Sequence, residues 1–153
     1  MLREFVEKKH YKFAESAPDW REAIRMSCES IEADGTVEAN YKEDIIKCVE
    51  TYGPYIVIIP NVAMPHSTQG AQGVNKTAIA FMHLDKPVAF EPDEEGEIKE
   101  AQLFFTIASC DGEQHMNNIQ RLSELFNNDD AIEALADAHT PEDLLAIQAK
   151  FLD

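Results

Sequence analysis

The sequence predicts an α/β fold: a layered sandwich, with a small mixed sheet flanked by helices on both faces. Amphipathic helical segments alternate with short apolar, β-prone runs through the first two thirds of the chain. The run from Gln102 to Ser109 is apolar at both parities, as a strand covered on both sides must be. Three further helical segments then close the chain, which suits helices packed over a sheet. With 153 residues, 44% of them hydrophobic, a single domain spanning 1–153 is expected to build its own core.

Residues 19 to 33 space Trp20, Ala23, Ile24, Cys28 and Ile31 by threes and fours, with Asp19 as an acidic N-cap and Gly35 as a stop. A second helix is predicted from Asn40 to Tyr52, where Ile45, Ile46, Cys48 and Val49 share one side and Gly53-Pro54 ends it. Tyr55 to Pro60 reads as a strand leading into a Pro-bracketed turn that ends at His66. The polar stretch 67 to 73 is expected to form a loop able to move over a site.

Lys76 to Leu84 is a β-compatible run, Pro87 to Phe90 a second extended piece, and Glu91 to Glu97 a solvated charged loop. After the buried strand, a helix begins near Asp111-Gly112-Glu113, with Ile119, Leu122, Leu125 and Phe126 as its apolar stripe and His115 in its first turns. Helices from Asp129 to Ala138 and Pro141 to Leu152 complete the chain, the last with Thr140 as N-cap and Pro141 as its first residue.

The charge excludes whole classes of ligand. Against 13 basic residues stand 29 acidic ones, a formal net charge of −16, which repels nucleic acids and anionic lipids and favours encounter with a basic partner. Cys28, Cys48 and Cys110 are widely spaced, suggest neither a disulfide framework nor a zinc knuckle, and fit a reducing cytoplasm. The charged first residues and the lack of a long apolar run predict neither a secretion signal nor a membrane span.

Five histidines are the candidate chemistry. His10 and His139 lie in polar surroundings and read as surface residues, and His83, in an apolar run, as a satisfied core or edge histidine. His66 and His115 each follow a strand, where a partner can reach them. Imidazole is nucleophilic near neutral pH and can take up and release a group covalently. The helix start after Cys110 is expected to offer backbone N–H groups to a phosphoryl on His66, with His115 donating to the same oxygens or orienting His66. Cys110 reads as a small buried hydrophobe, and Met64 and Phe90 as packing around the site.

Asn61-Val62-Ala63-Met64-Pro65-His66 resembles the Gly-Ile-Ala-Leu-Pro-His phosphorylation pattern of the enzyme IIA domains of the mannitol/fructose type in the bacterial phosphoenolpyruvate-dependent sugar phosphotransferase system. Asp111-Gly112-Glu113-Gln114-His115 matches that family's second histidine near a helix start. The entry Tyr52-Gly53-Pro54-Tyr55-Ile56-Val57-Ile58 looks most like the stand-alone IIA components of the L-ascorbate branch. Nearly the whole chain takes part in the resemblance.

The resemblance implies a phosphotransferase component in which His66 accepts phosphate from the histidine-containing phosphocarrier protein and passes it to a cysteine of a IIB component, serving a membrane IIC permease indirectly. His66 and His115 are its catalytic residues; no metal, nucleotide or other cofactor is implied, and a homodimer is compatible with it. Two departures stand out. Asn61 replaces the usual glycine, which asparagine's tolerance of left-handed backbone can accommodate. The arginine that mannitol-type members carry upstream is missing, since no arginine lies between Arg25 and Arg121. Rival readings are a regulatory module whose phosphorylation changes affinity for a target, and a metal hydrolase with His66, His115 and Asp111 as ligands.

Overall fold

The sheet brings together strands from both halves of the sequence in the order β1-β4-β5-β3-β2. The computed structural model describes residues 1–68 and 72–153. In chain order its elements are α1 (Leu2–Lys8), β1 (Tyr11–Ala14), α2 (Trp20–Ala33), α3 (Asn40–Tyr52), β2 (Val57–Ile59), β3 (Asn61–Ala63), β4 (Ala78–Ala89), β5 (Glu100–Ala108), α4 (Gly112–Phe126), α5 (Asp129–Ala136) and α6 (Pro141–Ile147). A π-helical turn, Gln148–Leu152, follows α6.

β1 runs parallel to β4 and β3 parallel to β5, while the β4–β5 and β2–β3 pairs are antiparallel. The sheet is thus mixed, and β5 lies at its centre. Alternation along β4 sends Ala80, Met82 and Leu84 to one face, against a core that includes Trp20, Ile24, Ile31 and Ile45 of α2 and α3. Ile79 and Phe81 turn to the other face with Leu103, Phe105 and Ile107 of β5, under Leu2 and Phe5 of α1 and the apolar residues of α4, α5 and α6. There, Phe81 and Phe105 have ring centroids 5.3 Å apart, and Phe105 meets Phe126 edge-on at 5.4 Å. Fully burying each such ring is worth about 1.5–3 kcal/mol.

The caps form where the side-chain chemistry calls for them. Asp19 accepts from the Glu22 amide, and Thr140 with Asp143 forms a reciprocal capping box at α6. Four expectations need correction. The stretch 55 to 60 is not one strand: the chain folds back at Pro60 into the β2–β3 pair, with Asn61 at φ 71°. The two pieces expected between 76 and 90 are one long strand, Ala78–Ala89, its register with β5 shifting between His83 and Val88. The α5 helix stops at Ala136, and the last predicted helix gives way to a π turn after Ile147.

His10, expected at the surface, is buried and pairs through Nε2 with Asp34 at 2.6 Å. It is carried under the fold by α1 and β1, elements that sequence reasoning did not predict. Leu2, Phe5 and Val6 hold the helical spacing that could have revealed α1.

Candidate functional site

His66 sits just beyond β3, on a segment held at each successive residue. The Met64 amide donates to Ile56 O at 2.7 Å, and the Ile107 amide at the end of β5 donates to Pro65 O at 2.9 Å. The Tyr55 hydroxyl donates to His66 O at 2.5 Å. Its ring also stands edge-on to the imidazole, with centroids 5.2 Å apart. From α3, the buried Tyr41 hydroxyl donates to Ile107 O at 2.5 Å and takes the backbone hydrogen bond of Ser67. Burial raises both phenols above their ordinary range, so they remain protonated donors.

The half-buried imidazole has its own anchor. His66 Nδ1 lies 2.7 Å from Met64 O; a carbonyl oxygen can only accept, so Nδ1 carries the proton. Nε2 is therefore the nitrogen that bears the free lone pair.

His66 and His115 line one cleft of about 350 Å³, together with Tyr41, Ser109, Asp111 and Gly112. The two predicted site histidines are thus brought together, β3 delivering one and the first turns of α4 the other. His115 Nδ1 is buried and has no hydrogen-bond partner among the described residues.

The helix start is furnished differently from the expectation. Asp111 caps α4, its carboxylate accepting from the Glu113 and Gln114 amides. Thr77 Oγ1 accepts from the amides of Cys110 and Asp111. Along this stretch, only the Gly112 amide remains without a protein partner among the described residues. No lysine or arginine is found among the described residues lining the cleft.

Other expectations shift as well. Cys110 is exposed rather than buried, because the turn into α4 lifts it off the end of β5, and its Sγ lies 3.6 Å from Thr77 Oγ1. Phe90 stacks on Trp20, at the far end of β4 from the cleft. Met64 is half-buried against the core beneath the sheet's α4 face. The predicted loop over the site falls partly on residues 69–71, which lie outside the described residues.

Sequence reasoning missed Tyr41, Tyr55, Thr77 and Cys48 as supports. Cys48 Sγ is 3.3 Å from Thr68 Oγ1. Burial pushes its thiol up, but hydrogen bonds from Thr68, Ser67 and Tyr55 together outweigh that and leave it below the ordinary thiol value. A tyrosine in an amphipathic helix gives no sign from spacing alone that its hydroxyl reaches a strand end. The hydrolase ligand set also fails to form. Among the described residues, the histidine, cysteine and acidic side chains whose ligand atoms converge are His83, Asp85 and His139, not His66, His115 and Asp111.

Comparison with known proteins identifies the family. The family model described as "Phosphoenolpyruvate-dependent sugar phosphotransferase system, EIIA 2" matches residues 4–150. The chain belongs to this family. It is 30% identical over 141 residues to the ascorbate-specific PTS system EIIA component of Escherichia coli K12, covering 92% of this chain and 89% of the relative. The solution structure of the mannitol-specific cryptic phosphotransferase enzyme IIA CmtB from Escherichia coli superposes with a TM-score of 0.82 at 28% identity, over 95% of this chain and 96% of that one. The Escherichia coli mannitol enzyme IIA, solved in complex with phosphorylated enzyme IIB, superposes with a TM-score of 0.75 at 25% identity, over 92% and 94% of the two chains.

The chain is therefore an EIIA component of the ascorbate/mannitol type, a phosphoryl carrier in a sugar phosphotransferase system. In the solved complex the mannitol enzyme IIA is paired with its IIB component. None of this EIIA component's described helices is long and apolar enough to cross a membrane.

Proposed function

We propose that His66 is the phosphoryl-carrying residue and that it carries the group on Nε2, with His115 as its partner across the cleft. The observation behind this reading is the Met64 carbonyl on Nδ1, which fixes the tautomer and leaves Nε2 as the nucleophile. In the accepting step, the Nε2 lone pair forms an N–P bond to the phosphoryl of a phosphohistidine on the phosphocarrier protein, and the donor's N–P bond breaks. In the delivering step, a thiolate of a IIB component attacks the same phosphorus, and His66 leaves as neutral imidazole. The fold contributes alignment and charge placement, which phosphoryl transfer chiefly requires.

His115 and the Gly112 amide are the donors available to the phosphoryl oxygens. Both protein partners dock in turn around His66, and the net charge of −16 favours a basic rim on the donor. The likeness to the ascorbate-specific component supports L-ascorbate uptake as the pathway served, and a cytoplasmic location follows from such a role.

The test is incubation with phosphoenolpyruvate, enzyme I and the phosphocarrier protein, followed by intact mass measurement. Wild type gains one acid-labile phosphate, His66→Ala gains none, and His115→Ala gains it more slowly. An unmodified wild type, or a His66→Ala protein that still takes phosphate, would overturn the assignment.

A further inference from the structure

At the opposite end of β4 from the phosphoryl cleft, three side chains from two parts of the chain converge. Ala78 pairs with Ala108 at the cleft end of the sheet, and Asp85 lies seven positions further along β4, roughly 20 Å away at strand rise. His83 and Asp85 come from β4, and His139 from the link between α5 and α6. One ligand atom from each falls within 4.8 Å of the other two.

His83 is the informative member. It is 1% exposed, and its Nε2 lies 2.8 Å from Ala136 O, so Nε2 carries the proton and Nδ1 holds the lone pair. That Nδ1 is buried without a hydrogen-bond partner. A bare imidazole lone pair in a protein interior is costly unless something meets it. Asp85 Oδ1 stands 3.6 Å from His83 Nδ1 and 3.4 Å from His139 Nδ1, and the two rings meet edge-on with centroids 5.6 Å apart.

Those separations are long for a hydrogen bond. They match the edge of a metal tetrahedron, because ligands at about 2.0–2.1 Å from a zinc ion stand about 3.3–3.4 Å from each other. The surroundings are also those of a ligand shell. Ala136 O accepts from His83 Nε2 and from Gln102 Nε2, and Gln102 also donates to Asp85 O. A histidine whose second nitrogen donates to a carbonyl is in the tautomer and orientation that metal ligation uses. The His139 amide donates to Asp143 Oδ2 at 2.8 Å, tying that residue to the α6 cap.

We propose that His83 Nδ1, His139 Nδ1 and Asp85 Oδ1 form a binding site for one divalent transition-metal ion of the zinc class, with a fourth position open to solvent. Two imidazoles and one carboxylate are a donor set suited to Zn²⁺ and Co²⁺ and poorly suited to Mg²⁺ or Ca²⁺. The ion joins β4 to the closing helices and lies outside the phosphoryl cleft.

The experiment titrates the dialysed full chain with Zn²⁺ against a chromophoric chelator, and separately with Co²⁺ while recording visible absorption. Wild type takes one ion per chain with the intense visible bands of four-coordinate Co²⁺. Asp85→Asn and His139→Ala, both at exposed positions, weaken binding at least tenfold and lose the bands while keeping the wild-type circular dichroism. His66→Ala and His115→Ala bind as wild type does. The proposal is overturned if wild type shows no bands, if the Asp85 and His139 variants bind with unchanged affinity, or if binding is lost in the His66 or His115 variants instead.

Discussion

The carbonyl oxygen of Met64 lies 2.7 Å from Nδ1 of His66 and holds its proton, so a backbone atom two residues earlier selects which ring nitrogen keeps its lone pair. Phosphorylated wild type should therefore show the ¹⁵N shifts and ³¹P coupling of an Nε2 phosphohistidine. An Nδ1 adduct would mean that the contact breaks before transfer.

Tyr55→Phe keeps the ring edge against the imidazole and removes only the hydroxyl bond to His66 O. One neutral hydrogen bond is worth about 0.5–1.5 kcal/mol. Urea unfolding should show a loss of that size, and single-turnover phosphoryl acceptance should slow several-fold because His66 is held less firmly. Tyr55→Ala should lose more of both.

Asn61 adopts φ 71° and donates through its side chain to Gln102 Oε1 at 3.0 Å. Alanine here incurs the left-handed backbone cost of about 1–2 kcal/mol and also loses the hydrogen bond. Glycine loses only the bond. Asn61→Gly should therefore be the more stable of the two variants by denaturant midpoint, although it removes the larger part of the side chain.

The Asp34 carboxyl is held below its ordinary value: burial raises it, but bonds from Thr36 and His10 outweigh that. Its folded form thus binds a proton less readily than the unfolded chain. The contribution is present in full above the ordinary value of 3.8 and is lost as pH falls through the lower folded value. Asp34 is partly exposed, so the effect is modest. Comparing stability at pH 6 and pH 3, Asp34→Asn should show a smaller acid loss than wild type.

Native thiol labelling separates the cysteines. Exposed Cys110 should react with a maleimide at once, whereas Cys28, fully buried with its thiol pushed up to about 12, should react only on unfolding. Cys48 is buried too and should be protected in the native state. Rapid labelling of Cys28 would contradict the packing of α2 on the sheet.

What the sequence made legible follows from periodicity and local chemistry. The α2 spacing, the Thr140-Pro141 start and the apolar β5 run each state their structure within a few residues, as does the strand-end placement of His66. The fold-back at Pro60 was hidden because six β-prone residues look alike whether the chain continues or turns. Cys110 was misplaced because hydrophobicity does not report that a strand has already ended at Ala108. His10 was misplaced because its burial depends on Asp34, a partner 24 residues away that no local pattern can supply. Tyr41 reaches Ile107 across 66 residues, and is invisible locally for the same reason.

The anionic cap at α4 has an energetic consequence for a carrier. Asp111 occupies two helix-start amides that would otherwise bind an incoming phosphoryl, and the described cleft lining offers no lysine or arginine in compensation. Cargo bound in such a place gains little from its surroundings. Every 1.4 kcal/mol of comfort withheld from the loaded state shifts the handover tenfold toward the next acceptor. On the assignment proposed for His66, a site that is a poor resting place preserves the group-transfer potential that enters such a phosphoenolpyruvate-dependent system.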